Sequence, residues 1–316
     1  MRRRTALGSI AFGLAALRAP RPVSAQTLDV IKSAGPKTED ITNVYWAVKT
    51  GLFQRNGIDL EIVGTNSGSA AMEAVVTGAY QLARVGIPAS FPAHLRGIPI
   101  VMVAPGLLSR SSNPFALLQI APDSPFKTGA DLNGKTLGTP AIGDLNTLAT
   151  KAWVDKNGGD WRSLKFVEIP NSAMEAAIVQ KRVDAGVIQS PQLASSLQAK
   201  TTKTLGDAWG AIAPTFMAGA YFARIDWANA HADLIRRYNR VYGESAQYVN
   251  THYKETEPLV AELTGMELAN VAKIPRGFNA TSMDLNLVQP LIDASARYEH
   301  IPRGFPAREL VWEGFR

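Results

Sequence analysis

Residues 71–74 and 173–176 both read Ala-Met-Glu-Ala, and around each copy the chain runs through the same order of elements. In the first pass Leu28-Asp29-Val30-Ile31 reads as a strand and Gly35 to Thr38 as a loop. Thr38 to Asp40 supplies helix-capping chemistry. A helix then runs to about Arg55 and stops at Asn56-Gly57. Ile58 to Val63 alternates apolar and acidic residues, which is strand periodicity. Gly64 to Gly68 is a polar turn before a helix from Ser69 to Thr77. Gln81 to Val85 is a strand, Gly86-Ile87-Pro88 opens a helix through Arg96, and Ile98 to Ala104 is a further strand. The second pass has a strand at Lys135–Gly138 and a helix from Ile142 to Lys156 that ends at Asn157-Gly158. A strand at Lys165–Ile169 and a helix from Asn171 follow. Ala83 and Val85 stand at the same offset from the first tetrapeptide as Ala185 and Val187 from the second, and Pro88 and Pro191 come next. An ordered repeat of this kind predicts two similar α/β lobes, and strands alternating with helices predict parallel pairing with right-handed crossovers.

The lobes are not simply strung together. Residues 209–224 are apolar and turn-rich, and beyond Asp226 the chain reads as helix, about 228–249, 257–263 and 283–298. That tail has too few strand signals for a third domain and is expected to pack back on the first lobe. The chain then crosses between lobes twice, near Pro114–Leu118 and near Phe216–Phe222, which makes a hinge beside a cleft. The expected division is a leader at 1–25, one lobe from 26–113 with 222–316, and a second lobe at 114–221.

Residues 1–25 hold Arg2, Arg3, Arg4, Arg18 and Arg21 and no acid. An apolar stretch from Ala6 to Leu17 and the small residues Val23-Ser24-Ala25 follow, the pattern of a cleaved export signal. Arg3-Arg4-Thr5-Ala6-Leu7 also fits a twin-arginine signal. Without this segment 28 basic residues face 27 acidic ones, so the net charge of +6 is mostly a property of the N-terminus. A basic body suited to nucleic acid loses its support. The absence of cysteine excludes a disulfide framework, a cysteine nucleophile and a cysteine-ligated metal. The four histidines, His94, His231, His252 and His300, lack metal-ligand spacing, and no nucleophile elbow or phosphate loop is present. The expectation from these residues is an exported, soluble protein with no recognisable catalytic or metal-binding motif.

Ligands of parallel α/β sheets sit beyond the carboxyl ends of the strands, facing helix N-termini. The candidates at those starts are Lys37, Thr38, Ser67, Gly68, Ser69, Pro88, Ala89, Ser90, Gly143, Asp144, Asn146, Gln189 and Ser190, with Trp46 and Met217 beside them. Capping explains many of them one by one; as a set they describe a cleft that offers hydrogen bonds to one small molecule. Trp46 and Phe91 are read first as core residues and second as stacking surfaces for a ligand. Asp144, if it faces the cleft, selects against an anion. Ser69→Ala with Ser190→Ala is expected to weaken binding far more than folding.

The run Tyr45-Trp46-Ala47-Val48-Lys49-Thr50-Gly51-Leu52-Phe53-Gln54-Arg55-Asn56-Gly57-Ile58-Asp59-Leu60-Glu61 resembles a family pattern. So do Ser67-Gly68-Ser69 before a helix, Arg96-Gly97-Ile98-Pro99-Ile100-Val101, and Ala130-Asp131-Leu132-Asn133-Gly134-Lys135. Over about residues 28–225 the chain is similar to the exported substrate-binding proteins of ABC transporters for nitrate, sulfonates, taurine and thiamine-precursor pyrimidines. The resemblance implies a type II periplasmic binding protein fold, with two Rossmann-like lobes and a two-segment hinge. It implies a periplasmic, monomeric binding protein without cofactor, metal or catalysis, with a small-molecule ligand and, as partners, an ABC permease with its ATPase. The favoured ligand is a small organic anion, a sulfonate or an aromatic or aliphatic carboxylate, held by Lys37 and the helix starts. The alternatives are an aminopyrimidine or related heterocycle and, in another class, a periplasmic enzyme on the same fold.

Overall fold

The computed structural model describes residues 27–315 apart from Asn66, so the expected export signal lies outside the described residues. The first half begins with β1 (Asp29–Gly35), α1 (Thr42–Lys49), α2 (Leu52–Arg55), β2 (Ile58–Gly64) and α3 (Gly68–Val76). It continues through β3 (Leu82–Gly86), α4 (Phe91–Leu95), β4 (Ile100–Pro105) and β5 (Leu107–Arg110). Then come β6 (Ala116–Ile120), β7 (Thr136–Thr139), α5 (Leu145–Lys156), β8 (Lys165–Glu168), α6 (Asn171–Val179), β9 (Ala185–Gln189), α7 (Gln192–Ala199) and β10 (Lys203–Gly206). The chain returns through β11 (Thr215–Met217) and β12 (Gly219–Arg224) into α8 (Ile225–Ala230), α9 (Ala232–Thr251), α10 (Tyr253–Thr264) and α11 (Leu268–Val271). The last elements are β13 (Phe278–Asn279) and α12 (Gln289–Arg297).

Two five-stranded sheets result, ordered β2-β1-β3-β12-β4 and β10-β6-β9-β7-β8, with a small sheet β11-β5-β13 besides. The pairs β1/β2, β1/β3, β7/β8 and β7/β9 are parallel, as the alternation of strand and helix predicts. The expectation of parallel pairing fails elsewhere. β12 runs antiparallel between β3 and β4, and β6 antiparallel between β9 and β10. These strands enter their sheets without a crossover helix, so nothing obliges them to be parallel. Residues 219–224, read as part of a turn-rich stretch, form a central strand buried on both faces. Its small residues Gly219, Ala220 and Ala223 hide the alternation that marks a half-exposed strand.

Side-chain alternation sets the two layers of the first sheet. Ile31, Leu82 and Tyr221 point into a core shared with α1 and α9. Ala34, Ala83, Val85 and Phe222 point into a larger core that also takes Leu145, Leu148 and Ala152 of α5 and Leu291 of α12. The long helix expected up to Arg55 is broken at Gly51, whose φ of +71° is left-handed and ends α1. The Asn-Gly stops are real in both copies: Gly57 and Gly158 take φ of +74° and +80°. α5 starts at Leu145 rather than at Ile142, because Asp144 caps it. Of the C-terminal helices, α9 packs against α1 and β4, while α12 reaches α5.

Candidate functional site

Three connections leave the carboxyl ends of β1, β2 and β3 on one side of the first sheet. After β1 the aliphatic chain of Lys37 runs along Gly64, where a Cβ would lie 3.3 Å from Lys37 Cε. Thr38 spends its hydroxyl on Asp40 Oδ1 at 2.5 Å. The next two residues are buried acids, each paired with an arginine: Asp40 with the half-buried Arg84, and Glu39 with the buried Arg276. After β2, Ser67 Oγ accepts from Ala70 N–H at 3.2 Å and caps α3, Gly68 lies against Val85, and Ser69 is exposed. After β3 the Ile87 N–H donates to the Ala218 carbonyl at 3.1 Å, Pro88 is buried, Ala89 is half-buried, and the buried Ser90 donates to the Ile87 carbonyl at 2.7 Å.

The second sheet contributes the start of α5. Asp144 Oδ1 accepts from Thr147 N–H at 2.9 Å and from the Thr139 hydroxyl at 2.9 Å. Burial nevertheless outweighs these bonds and pushes the Asp144 carboxyl up to about 6. Asn146 is buried, and its Oδ1 accepts from Trp209 Nε1 at 2.9 Å and from Gln189 Nε2 at 3.4 Å. Ser190, after β9, donates to the Pro275 carbonyl at 2.9 Å. Met217 is fully buried.

The two sets of helix starts meet. A Cβ on Gly86 would stand 3.9 Å from Leu145 Cβ and 3.7 Å from the Ala218 carbonyl oxygen. Gly143, left-handed at φ +90°, faces the ring of His300, 3.3 Å from its Cβ position to Cε1. The neighbouring ring atom Nε2 lies 3.5 Å from the Pro88 carbonyl. Burial holds His300 below the ordinary histidine value and so favours the neutral ring. His300 thus sits between Pro88 and Gly143, although its position in the sequence carries no sign of this. Trp209 is the second residue that sequence reading passes over; it secures Asn146 through a bond spanning 63 positions.

Not every candidate belongs to this junction. Trp46 stacks on Tyr248 of α9, centroids 4.3 Å apart, so its ring packs between helices. Phe91 is fully buried and meets Phe305 edge-on at 5.5 Å. The hydroxyls of Ser90 and Ser190 serve backbone carbonyls and not a general base. Among the described residues no group of three or more His, Asp or Glu side chains is placed to hold a metal ion, and no helix is long and apolar enough to cross a membrane.

The fold recurs in solved structures. The periplasmic aliphatic sulphonate-binding protein SsuA of Escherichia coli superposes with a TM-score of 0.72 at 18% identity, over 90% of this chain and 92% of that one. The periplasmic nitrate-binding protein NrtA of Synechocystis PCC 6803 gives 0.75 at 12% identity, over 91% and 87%. The molecule therefore has the periplasmic binding protein fold that the sequence led us to expect. In sequence, a formylaminopyrimidine-binding protein of Halalkalibacterium halodurans is 31% identical over 146 residues. That alignment spans 46% of this chain and 42% of the relative, less than half the length of each. The profile of the family described as NMT1/THI5 like matches residues 38–256, more than two thirds of the chain. The chain belongs to the NMT1/THI5-like family.

Proposed function

We propose that the protein is the extracytoplasmic solute-binding component of an ABC importer. It captures one small molecule between residues 26–113 with 222–316 and residues 114–221, and presents it to a permease. The observation that carries this reading is the meeting of helix starts from two different sheets at Gly86, Leu145, Gly143 and His300. A ligand lodged there touches both halves, so its binding energy is coupled to their closure. Residues 1–25 would direct export to the periplasm. Lys37, Ser69, Pro88, Ala89, Gly143, Asp144 and Gln189 are the proposed contacts.

Two ligand classes fit. The first is an aminopyrimidine-type heterocycle. Asp144 offers a carboxylate to ring or amino N–H groups, His300 a neutral imidazole, and the relative from H. halodurans carries formylaminopyrimidine in its name. The second is a small organic anion, supported by Lys37 beside Gly64 and by the capped start of α3. The closed contact between Gly86 and Leu145 suits a small ligand in either case.

Thermal shift followed by calorimetry on residues 26–316 tests this, using aminopyrimidines, alkyl and aryl sulfonates, carboxylates and nitrate. A melting-temperature rise with one class, by mass action, supports a solute-binding protein and names the class. A rise with aminopyrimidines that disappears in Asp144→Ala selects the first class, and a rise with anions that disappears in Lys37→Ala selects the second. Protein that binds none of them and releases no small molecule on denaturation argues against the reading.

A further inference from the structure

Residues 289–312 form a strap that touches both sides of the junction, and it is held differently on each. Against the first sheet the hold is main chain and apolar. The Met102 N–H donates to the Leu310 carbonyl at 2.7 Å, and the Trp312 N–H to the Met102 carbonyl at 3.0 Å. Phe305 packs on Phe91, and Leu310 and Trp312 are buried. Against α5 and the turn after it there is no strand-like main-chain pairing; apolar packing, in which the buried Tyr298 meets Trp161 edge-on at 5.6 Å, is joined by polar contacts from three consecutive residues. Arg297 Nη2 and the Tyr298 hydroxyl both donate to Asp155 Oδ2, at 3.0 and 2.9 Å. Lys151 Nζ donates to the Tyr298 carbonyl at 3.2 Å, and Arg162 Nη2 to Glu299 Oε1 at 2.6 Å. Glu299 takes a left-handed φ of +55°, which turns the chain from these contacts into His300 at the junction.

The two holds respond differently to separation. Buried main-chain pairing and apolar packing must be lost together, at the cost of exposing apolar surface and unpaired backbone. The Arg297–Asp155 and Arg162–Glu299 pairs lie at the surface, and such pairs are individually weak, are replaced by water and are screened by salt. We propose that Arg297, Tyr298 and Glu299 are a latch, keeping α5 and the half behind it against the first half and releasing on the α5 side when the solute cleft opens. The strap then travels with the first sheet and carries His300 away from Gly143. This inference rests on the reading that the two halves open and close.

The natural chain has no cysteine, so a labelling pair is readily introduced at the exposed positions Glu73→Cys on α3 and Ser172→Cys on α6. Spin-label distance distributions are recorded for the ligand-free protein. Two backgrounds weaken the latch from opposite sides, Arg297→Ala/Tyr298→Phe/Glu299→Ala and Asp155→Ala. A third, Leu145→Trp, wedges the contact with Gly86, with Gly86→Leu as its substitute should the tryptophan variant not fold. Melting curves establish that each background is folded. The latch predicts a several-fold larger long-distance population in both latch backgrounds, and in the parent at high salt. Distributions that move with the wedge but not with either latch background overturn the latch and leave the two-half reading standing. Distributions that move with none overturn the two-half reading and the latch together.

Discussion

Glu39 and Arg276 stand 237 positions apart, and the Arg276 Nε donates to Glu39 Oε1 at 2.5 Å inside the protein. The second carboxylate oxygen accepts from the Gly277 N–H at 2.7 Å, while Arg276 also reaches the Tyr253 carbonyl and the Thr256 hydroxyl. The pair ties the first turn after β1 to the segment between α11 and β13. Both side chains are almost fully buried, so removing one strands the other. Arg276→Leu is expected to cost about 3–5 kcal/mol in urea unfolding, and Arg276→Leu/Glu39→Gln appreciably less. Equal costs for the single and double variants would show that the charge is not what matters.

Asp144 gives a pH signature with a definite sign. Its carboxyl lies at about 6 when folded against 3.8 in an unperturbed chain. Between those values the folded protein holds a proton that the unfolded chain has released. Stability from this group is therefore lost as pH rises through that window and is level above it. Asp144→Asn should abolish this component and keep the cap, because asparagine caps as well as aspartate. Asp144→Ala should lose about 1 kcal/mol through the cap. Melting temperatures at pH 4, 5, 6 and 8 (about, spanning the two values) separate the two variants.

His300 acts in the opposite direction. Its folded pKa lies below the ordinary 6.5, chiefly through burial. As pH falls below 6.5 the unfolded chain takes up a proton that the folded one resists, so stability is lost. In His300→Gln that acid-side loss should be reduced. An unchanged pH profile would place the titration elsewhere.

Ser190 and Ser69 part company. From the sequence both were expected to affect binding more than folding. The structure commits the Ser190 hydroxyl to the Pro275 carbonyl, with the residue buried. Ser190→Ala should therefore destabilise by about 1–3 kcal/mol. Exposed Ser69 should change stability by less than about 0.5 kcal/mol when replaced by alanine. Urea titrations of the two single variants decide this.

Trp46 is expected to matter for folding alone. Trp46→Ala removes the stack on Tyr248 and should lower stability by at least about 1 kcal/mol while leaving solute affinity unchanged. Loss of affinity in calorimetry with the fold intact would return Trp46 to the cleft.

The local elements and their duplication were legible because they are written in neighbouring residues. Hydrophobic periodicity marked β2, and Asn-Gly ended a helix in both copies, where glycine alone adopts the left-handed turn at no steric cost. Ser67 and Asp144 declared themselves as helix caps by type and place, since a short side-chain oxygen reaches an unpaired N–H of the first turn. What only the tertiary structure decided has long sequence separation. The antiparallel insertion of β12 between β3 and β4 depends on a return of the chain that no local pattern encodes. The same holds for His300 between Pro88 and Gly143, for Trp209 on Asn146 and for Arg276 on Glu39. Each of these side chains is a generic polar or aromatic residue in its own neighbourhood and takes its role from partners brought to it by folding. Propensity and periodicity are local energies, and they specify strands, helices and their ends. The junction between the helix starts is a sum of non-local contacts, which exist only once the two sheets have been set against each other.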